Sequence, residues 1–170
     1  MGVGRVDYVV DGTGLDDPGR VRLCDAALKL VASTAATAET DMPWSQSPHW
    51  PPHVLGAATR LRERFVPVAK HDDGYLQTRV QRLADEQTRA DFVTFAPYAL
   101  DASLWSSSGE HLASLADAGE SCVVRLSDTD RDALVQQIGA GRVIALAHWR
   151  AARPGLVRRL ATRLLRPPSP

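Results

Sequence analysis

Histidine and carboxylate side chains suited to metal chemistry occur in two short polar segments near the middle of the chain. Imidazole nitrogens and carboxylate oxygens are ligands that zinc prefers, and a site with three of them leaves a position for an activated water. The sequence predicts no cofactor, and a divalent metal is the alternative if the two segments fold together. The metal candidates are His49, His53, His71 and Asp72, and the catalytic candidates are these four with Asp73 and Asp11.

The spacing of the first two histidines weakens the metal hypothesis. His49 and His53 stand four residues apart, which on a helix would direct both rings towards one ion. Two prolines lie between them and remove that helical geometry. The alternative is that the histidines are solvated loop residues, and that Asp72 and Asp73 form a turn or cap the next helix.

Asp11 is a separate candidate because it follows the β-rich segment RVDYVV. Acids at the carboxyl end of a strand often lie near the site of an α/β protein, so Asp11 with Asp16 or Asp17 would be able to hold a cation for phosphate chemistry. Turn and capping roles explain all three acids without a ligand. The short run GTG lacks the longer pattern of phosphate-binding loops, and no serine stands in the elbow motif of hydrolases.

The composition is that of one ordinary domain. A chain of 170 residues is long enough to bury a core without a disulfide or metal, and its two cysteines, Cys24 and Cys122, each lie in an apolar run. We therefore expect two buried free thiols. No apolar run reaches membrane-spanning length and no signal peptide is recognisable, which predicts a cytoplasmic protein. Abundant Arg and Ala indicate a bacterial source of high GC content.

Charge is unevenly distributed although the net charge is zero. Six of the twenty basic residues are arginines from Arg150 onward, where no acid occurs, so residues 1–149 have fourteen basic residues against twenty acids and carry about −6. Residues 151–166 have an apolar stripe and a basic stripe, which predicts an amphipathic helix. It would either pack on the sheet of this protein with its arginines outward, or bind a protein partner, nucleic acid phosphates or an anionic membrane. The arginines assigned to partner binding are Arg153, Arg158, Arg159, Arg163 and Arg166.

The segment TDMPWSQSPHWPPH, residues 40–53, predicts a long loop because its four prolines exclude a helix interior or a central strand. Long ordered loops are often functional, so Trp44 and Trp50 are candidates for partner binding. The alternative is that both indoles pin the loop to the body of the protein and cover one end of the core.

Periodicity predicts the other elements. Residues 5–10 read as a strand, and residues 20–36, 52–66, 75–89 and 128–138 read as amphipathic helices. Residues 91–96, 121–126 and 143–148 read as further strands. The segment SSSGEHLASLADAG is ambiguous, because it fits either a hairpin strand in an antiparallel meander or a short crossover helix.

These elements predict a single α+β domain over residues 1–150, with a small, mainly antiparallel sheet packed by about five helices. The alternative is an α/β fold with a parallel βαβαβ unit over residues 101–149. Residues 151–166 add the basic helix, and residues 167–170 are expected to be disordered. The function favoured by the sequence is a non-catalytic protein-protein interaction or regulatory module. The alternatives are a metal-dependent hydrolase or nuclease, and a binder of nucleic acid or membrane surfaces.

Overall fold

A computed structural model describes residues 4–67 and 74–152 as an antiparallel sheet with helices packed on one face. The strands are β1 (Val6–Val10), β2 (Ala35–Met42), β3 (Leu76–Gln77), β4 (Gln81–Arg82), β5 (Asp101–Ser106), β6 (His111–Ala116), β7 (Ser121–Leu126) and β8 (Val143–Ala145). The helices are α1 (Asp17–Ala32), α2 (Pro52–Phe65), α3 (Glu86–Phe95), α4 (Asp128–Ile138) and α5 (Leu146–Ala152). Short 3-10 helices cover Trp44–His49, Ala96–Tyr98 and Ala140–Arg142.

The sheet has eight strands in the order β3-β2-β5-β6-β7-β1-β8, and β4 pairs with β2 beside β3. Every pairing is antiparallel. Strands β5, β6 and β7 form a meander, so the ambiguous segment after Ser108 is the hairpin strand β6. The predicted α+β fold is therefore confirmed, and the parallel alternative over residues 101–149 is wrong.

Side chains alternate across the sheet as the two-residue period of a strand requires. Residues such as Met42, Leu104 and Val124 are fully buried beneath the helices. Helices α1 to α4 contribute Leu28, Leu61, Phe95 and Leu134, among others, to the same continuous core. Alternate residues of β2, β5, β6 and β7 point to the other face, which is mostly polar. Helices α1 to α4 thus cover one side of the sheet.

Helix starts are set by side-chain caps. Asp16 accepts a hydrogen bond from the Gly19 amide (2.8 Å), so α1 begins slightly earlier than predicted. Ser127 caps α4, and it both accepts from the Asp130 amide (3.1 Å) and donates to the Asp130 carboxylate (2.7 Å). These bonds satisfy amide groups that a first helical turn leaves unpaired.

Two predicted elements are wrong in the middle of the chain, and one strand was missed. The helix expected over residues 75–89 is instead the two short strands β3 and β4, because Arg79 between them has a positive φ of 57° that ends any helix. The strand expected over residues 91–96 is the end of α3, which Asp85 caps by accepting from the Thr88 amide at 2.7 Å. Strand β2 was not predicted.

The C-terminal part of the chain is described only in its first residues. The predicted strand over residues 143–148 is shorter, since α5 begins at Leu146. The predicted basic helix over residues 151–166 and the tail lie outside the described residues, apart from residues 151 and 152. In the described ranges no helix is long and apolar enough to cross a membrane.

Candidate functional site

Three carboxylates form an acidic face at the β2–β5 end of the sheet. Glu39 and Asp41 alternate with the buried residues Ala38, Thr40 and Met42, so they point away from the helices. Asp41 lies directly opposite Asp101 on β5. The name acidic face is used below for Glu39, Asp41 and Asp101 together.

The carboxylates of the acidic face disfavour one another's charge. Partial burial, followed by the charges of Asp101 and Asp41, raises the pKa of Glu39. Partial burial also raises the pKa of Asp101, and the charges of Asp41 and Asp117 add to that effect while nearby His111 opposes it. Both carboxyl groups therefore hold on to a proton more tightly than an isolated side chain would.

The neighbours of the acidic face do not neutralise it. The Tyr75 hydroxyl donates a hydrogen bond to Asp41, and burial together with this bond raises the pKa of Tyr75. Among the described residues no lysine, arginine or histidine forms an ion pair with Glu39, Asp41 or Asp101. The acidic face thus keeps uncompensated negative charge.

Further along the same side of the sheet, two carboxylates share one cation. Arg125 on β7 lies between Glu110, 3.1 Å from its Nε, and Asp7, 3.8 Å from its Nε. The rings of Trp105 and His111 lie 5.7 Å apart beside them. The carboxylates there are therefore partly neutralised, whereas those of the acidic face have no ion-pair partner among the described residues.

A cleft of about 300 Å³ adjoins the acidic face. It lies between the start of α1, the 3-10 helices Trp44–His49 and Ala96–Tyr98, and the β6–β7 turn. Asp117 lines the cleft and directly follows Ala116, the cross-strand neighbour of Asp101, so the cleft lies next to the acidic face. The polar side chains that line it include Asp17, Arg20, His49, Tyr98, Asp117 and Glu120.

Charge within the cleft is mixed. Arg20 forms an ion pair with Asp17 and donates to the Leu15 carbonyl (3.0 Å), so its charge is already engaged. Burial raises the pKa of Tyr98, which keeps its hydroxyl protonated. Asp117 and Glu120 have no ion-pair partner in the described part of the chain. The cleft therefore adds two unneutralised carboxylates to those of the acidic face.

The β6–β7 turn that borders the cleft has an unfavourable backbone. Asp117, Ala118 and Gly119 all have positive φ angles of 52°, 54° and 79°. A non-glycine residue in this region is destabilised by about 1 to 2 kcal/mol, and Asp tolerates it better than Ala. The Asp117 and Ala118 amides hold the turn by donating to the carbonyls of Leu100 and Ala99, each at 2.9 Å. Such strain is most often found at functional sites.

The two tryptophans of the proline-rich loop are buried. Trp44 and Trp50 are 9 % and 8 % exposed, with edge-on ring contacts to each other and from Trp50 to Phe95. The Arg62 guanidinium covers the Trp44 ring at 3.8 Å. Both indoles thus pin the loop to the core, and their role in partner binding stays a prediction that this packing does not favour.

The metal candidates are only partly described. His49 lines the cleft, whereas His53 is exposed on the first turn of α2. His71, Asp72 and Asp73 lie outside the described residues. Within residues 4–67 and 74–152 no group of three His, Cys, Asp or Glu side chains has an arrangement that could hold a metal ion. A metal site that uses residues 71–73 stays a prediction.

Asp11 and its neighbours have structural roles. Asp11 accepts hydrogen bonds from the amide and hydroxyl of Thr13, and Arg142 donates to the carbonyls of Asp11 (2.9 Å) and Thr13 (2.8 Å). Asp16 caps α1 and Asp17 pairs with Arg20. A turn, a helix cap and an ion pair therefore account for Asp11, Asp16 and Asp17 respectively.

Comparisons with protein-family models, with curated proteins and with solved structures find no match to this chain. Inference about function therefore rests on the geometry described above. The acidic face offers three carboxylates on one surface, and none of them has an ion-pair partner among the described residues. This arrangement is suited to attracting a cationic group.

Proposed function

We propose that the protein is a non-catalytic binding module that docks a basic segment of a protein partner on the acidic face. The observation that carries this proposal is the pairing of Asp41 with Asp101 directly across β2 and β5, with Glu39 on the same surface. Like charges in this position destabilise a sheet. A cationic partner would remove the repulsion between these carboxylates. The same charges that destabilise the folded sheet would therefore favour binding of the partner.

The chemistry of the partner follows from that of the surface. Lysine or arginine side chains would neutralise the carboxylates, and arginine would do so with two parallel hydrogen bonds. The adjoining cleft, with Asp117 and Glu120 at one side and the apolar Val21 and Pro97 in its walls, would accept one long basic side chain together with its apolar stem. The partner segment would therefore be basic and extend from the acidic face to the cleft.

A titration with nona-arginine peptide tests the proposal. In NMR spectra of the ¹⁵N-labelled protein we expect the peptide to shift the amide signals of β2 and β5 around Asp41, Asp101 and Ser103. The triple variant Glu39→Gln, Asp41→Asn, Asp101→Asn should bind the peptide at least about fivefold more weakly, which corresponds to the loss of about 1 kcal/mol.

A matched control variant distinguishes binding at the acidic face from a general effect of the protein's net charge. The variant Glu63→Gln, Glu86→Gln, Asp132→Asn removes three exposed carboxylates from α2, α3 and α4 and changes the total charge by the same amount. Its affinity for the peptide should stay within about twofold of wild type. Equal weakening in both triple variants, or amide shifts confined to the helices, would contradict the proposal.

The other functions predicted from the sequence rest on residues that are not described. The metal-dependent hydrolase or nuclease requires His71, Asp72 and Asp73. Binding of nucleic acid, membrane or partner through Arg153, Arg158, Arg159, Arg163 and Arg166 involves the C-terminal segment. These functions, the bacterial source and the cytoplasmic location all stay predictions.

A further inference from the structure

Trp105 is a half-buried tryptophan on the same side of the sheet as the acidic face. Ala102 and Leu104 of the same strand belong to the core, so the alternation of β5 directs the indole away from the helices. Glu39 on β2 lies directly opposite Ser103, two residues before Trp105. Glu39 is therefore the diagonal cross-strand neighbour of Trp105, at the ~7 to 8 Å that separates such positions and that a long side chain can span.

The Trp105 ring is not covered by a cation of the described chain. His111 contacts it, with ring centroids 5.7 Å apart and ring planes inclined by 56°. Elsewhere a guanidinium does lie over an indole, since Arg62 is 3.8 Å from the centre of the Trp44 ring. No lysine or arginine within residues 4–67 and 74–152 has a corresponding position over Trp105. The indole is thus available to a cation that another molecule brings.

Negative charge lies on both sides of the indole. Towards β2 stands Glu39, which has no ion-pair partner in the described ranges. Towards β7 stands Glu110, whose charge Arg125 neutralises only in part because Arg125 also contacts Asp7. A cation placed on the indole would therefore be attracted by the ring and by the carboxylates beside it.

Trp105 lies within reach of a segment that is docked on the acidic face. Four residues of β5 separate Asp101 from Trp105, a distance of ~13 Å along the strand. An extended partner segment covers the same distance in about four residues, and side chains two or four residues apart in it point to the same side. A segment that places one basic side chain on Asp101 can thus place another on Trp105.

We propose that Trp105 makes the docking surface selective for arginine over lysine, an inference that rests on the proposed docking of a basic protein segment at the acidic face. The guanidinium of one partner arginine lies flat on the indole, and its N–H groups donate to the carboxylate of Glu39. The occupant is thus an arginine-bearing segment of another protein.

The preference for arginine follows from the chemistry of the two cations. A guanidinium is planar and weakly hydrated, so it stacks on an aromatic ring and still donates hydrogen bonds from its edge. A lysine ammonium is compact and strongly hydrated, and it loses more on leaving water. A nucleic acid base would also stack on an indole, but its phosphates would meet the carboxylates of this surface.

Titrations of the ¹⁵N-labelled full-length protein with nona-arginine and with nona-lysine test the inference. The two peptides carry the same charge, and the measured quantity is the dissociation constant of nona-lysine divided by that of nona-arginine. We expect nona-arginine to shift the indole N–H signal of Trp105, and Trp105→Leu to lower the ratio at least about threefold, the factor expected for one exposed cation–ring contact. Trp105→Phe keeps a ring and should give an intermediate ratio.

Trp149→Leu is the matched control. It replaces another half-buried tryptophan, on α5 beside the opposite end of the sheet, and should leave the ratio unchanged because distant sites act independently. An unchanged ratio in Trp105→Leu, or an equal fall in both tryptophan variants, would overturn the selectivity. If neither peptide shifts the β2 and β5 amides, docking at the acidic face is itself wrong. If both peptides shift them but the ratio ignores Trp105, only the arginine site is wrong.

Two further measurements distinguish other occupants of the indole. A shift of the Trp105 indole signal by oligothymidylate but not by nona-arginine would replace a protein partner by a nucleic acid and overturn the proposal. The second uses the peptide-free protein with Arg158, Arg159, Arg163 and Arg166 replaced by Gln. We expect its Trp105 signal to match that of wild type. A shifted signal would mean that this chain's own C-terminal arginines occupy the indole, and a separate partner would be the wrong assignment.

Discussion

Asp41 and Asp101 lie directly opposite each other on β2 and β5, and no cationic side chain in the described residues pairs with either. Replacing Asp101 by Asn should therefore stabilise the fold at neutral pH. We expect a gain of about 0.5 kcal/mol, within the range for cross-strand pairs. Urea denaturation at pH 7 measures the change.

The gain in stability from Asp101→Asn should decrease as the pH is lowered. The pKa of Asp101 is raised in the folded state, so at a pH above that pKa the charged side chain destabilises the fold. At a pH low enough to protonate Asp101 in both the folded and the unfolded state, this destabilisation is absent. The advantage of Asp101→Asn should thus be full at pH 7 and vanish below the ordinary pKa of about 3.9. As a control, Asp132→Asn on α4 breaks an ion pair with Arg131 (2.8 Å) and should not stabilise. An Asp101→Asn variant less stable than wild type at pH 7 would contradict the electrostatic account.

Arg60 and Asp91 form an ion pair whose two partners differ in burial. Arg60 Nε and Nη2 donate to Asp91 Oδ2 (2.9 Å) and Oδ1 (2.6 Å), and Gln87 donates to Oδ1 at 2.9 Å. The side chain of Asp91 is 6 % exposed, whereas that of Arg60 is 53 % exposed. Loss of Arg60 would leave a buried carboxylate without its counterion, but loss of the carboxylate would leave an arginine that can turn to water.

Replacing Arg60 should therefore lower the stability of the fold more than replacing Asp91. We expect Asp91→Asn to cost about 1 kcal/mol, and Arg60→Ala to lower the denaturation midpoint further. The double variant should restore part of the loss caused by Arg60→Ala alone, which a double-mutant cycle would measure. Equal losses from the two single variants would show that burial of Asp91 is not the cause.

Substitutions at two adjacent positions of the β6–β7 turn should have opposite effects on stability. A Cβ at Gly119 would lie 3.2 Å from both Cys24 Sγ and the Pro97 carbonyl, in a residue whose φ is already 79°. Gly119→Ala should cost about 1 to 3 kcal/mol. Ala118→Gly should relieve a strained alanine and add up to about 1 kcal/mol. Thermal unfolding of the two variants measures both changes in stability. A melting temperature of Gly119→Ala above that of wild type would contradict the argument from the positive φ angles.

The hydrogen-bonded cap at Ser127 should stabilise the start of α4. Ser127→Ala removes both hydrogen bonds to Asp130 and should cost about 1 kcal/mol. Ser127→Thr keeps a hydroxyl that can both accept from the Asp130 amide and donate to its carboxylate, and should recover most of that stability. Circular dichroism during urea denaturation measures both variants. A loss for Ser127→Thr as large as that for Ser127→Ala would mean that the hydroxyl of Ser127 is not what stabilises the start of α4.

Some elements could be predicted because local signals and the fold agree. The turn residues Ser108 and Gly109 favoured the β5–β6 hairpin slightly over a crossover helix, and the periodicity of residues 128–138 predicted α4. The segment DFVTFA was misread because its β-prone residues Phe92, Val93 and Phe95 are buried in a helix. Tertiary contacts overrode the propensity there, although Asp85 was a recognisable cap.

The acidic face was not predicted because it depends on pairing between distant segments. Strand β2 has the sequence AATAETDM, whose Ala, Glu and Asp are poor strand formers, so it gave no strand signal by composition. The alternation of Glu39 and Asp41 with buried residues was a visible hint of a strand with one acidic side. Nothing in the sequence placed Asp41 opposite Asp101, since strand order follows from the packing of the whole chain.

The short strands β3 and β4 complete the hydrogen bonding of the outer edge of β2. They pair with its two ends, and between them the Thr78 hydroxyl accepts from the Thr40 amide (3.0 Å) while the Thr78 amide donates to the Thr40 carbonyl (3.1 Å). Leu83 donates to the Ala36 carbonyl at 2.9 Å. An extended peptide therefore cannot join the sheet by strand addition along this edge, and neither can a second copy of the chain. A basic partner at this end of the sheet would bind through its side chains, and β2 is protected from edge-to-edge aggregation.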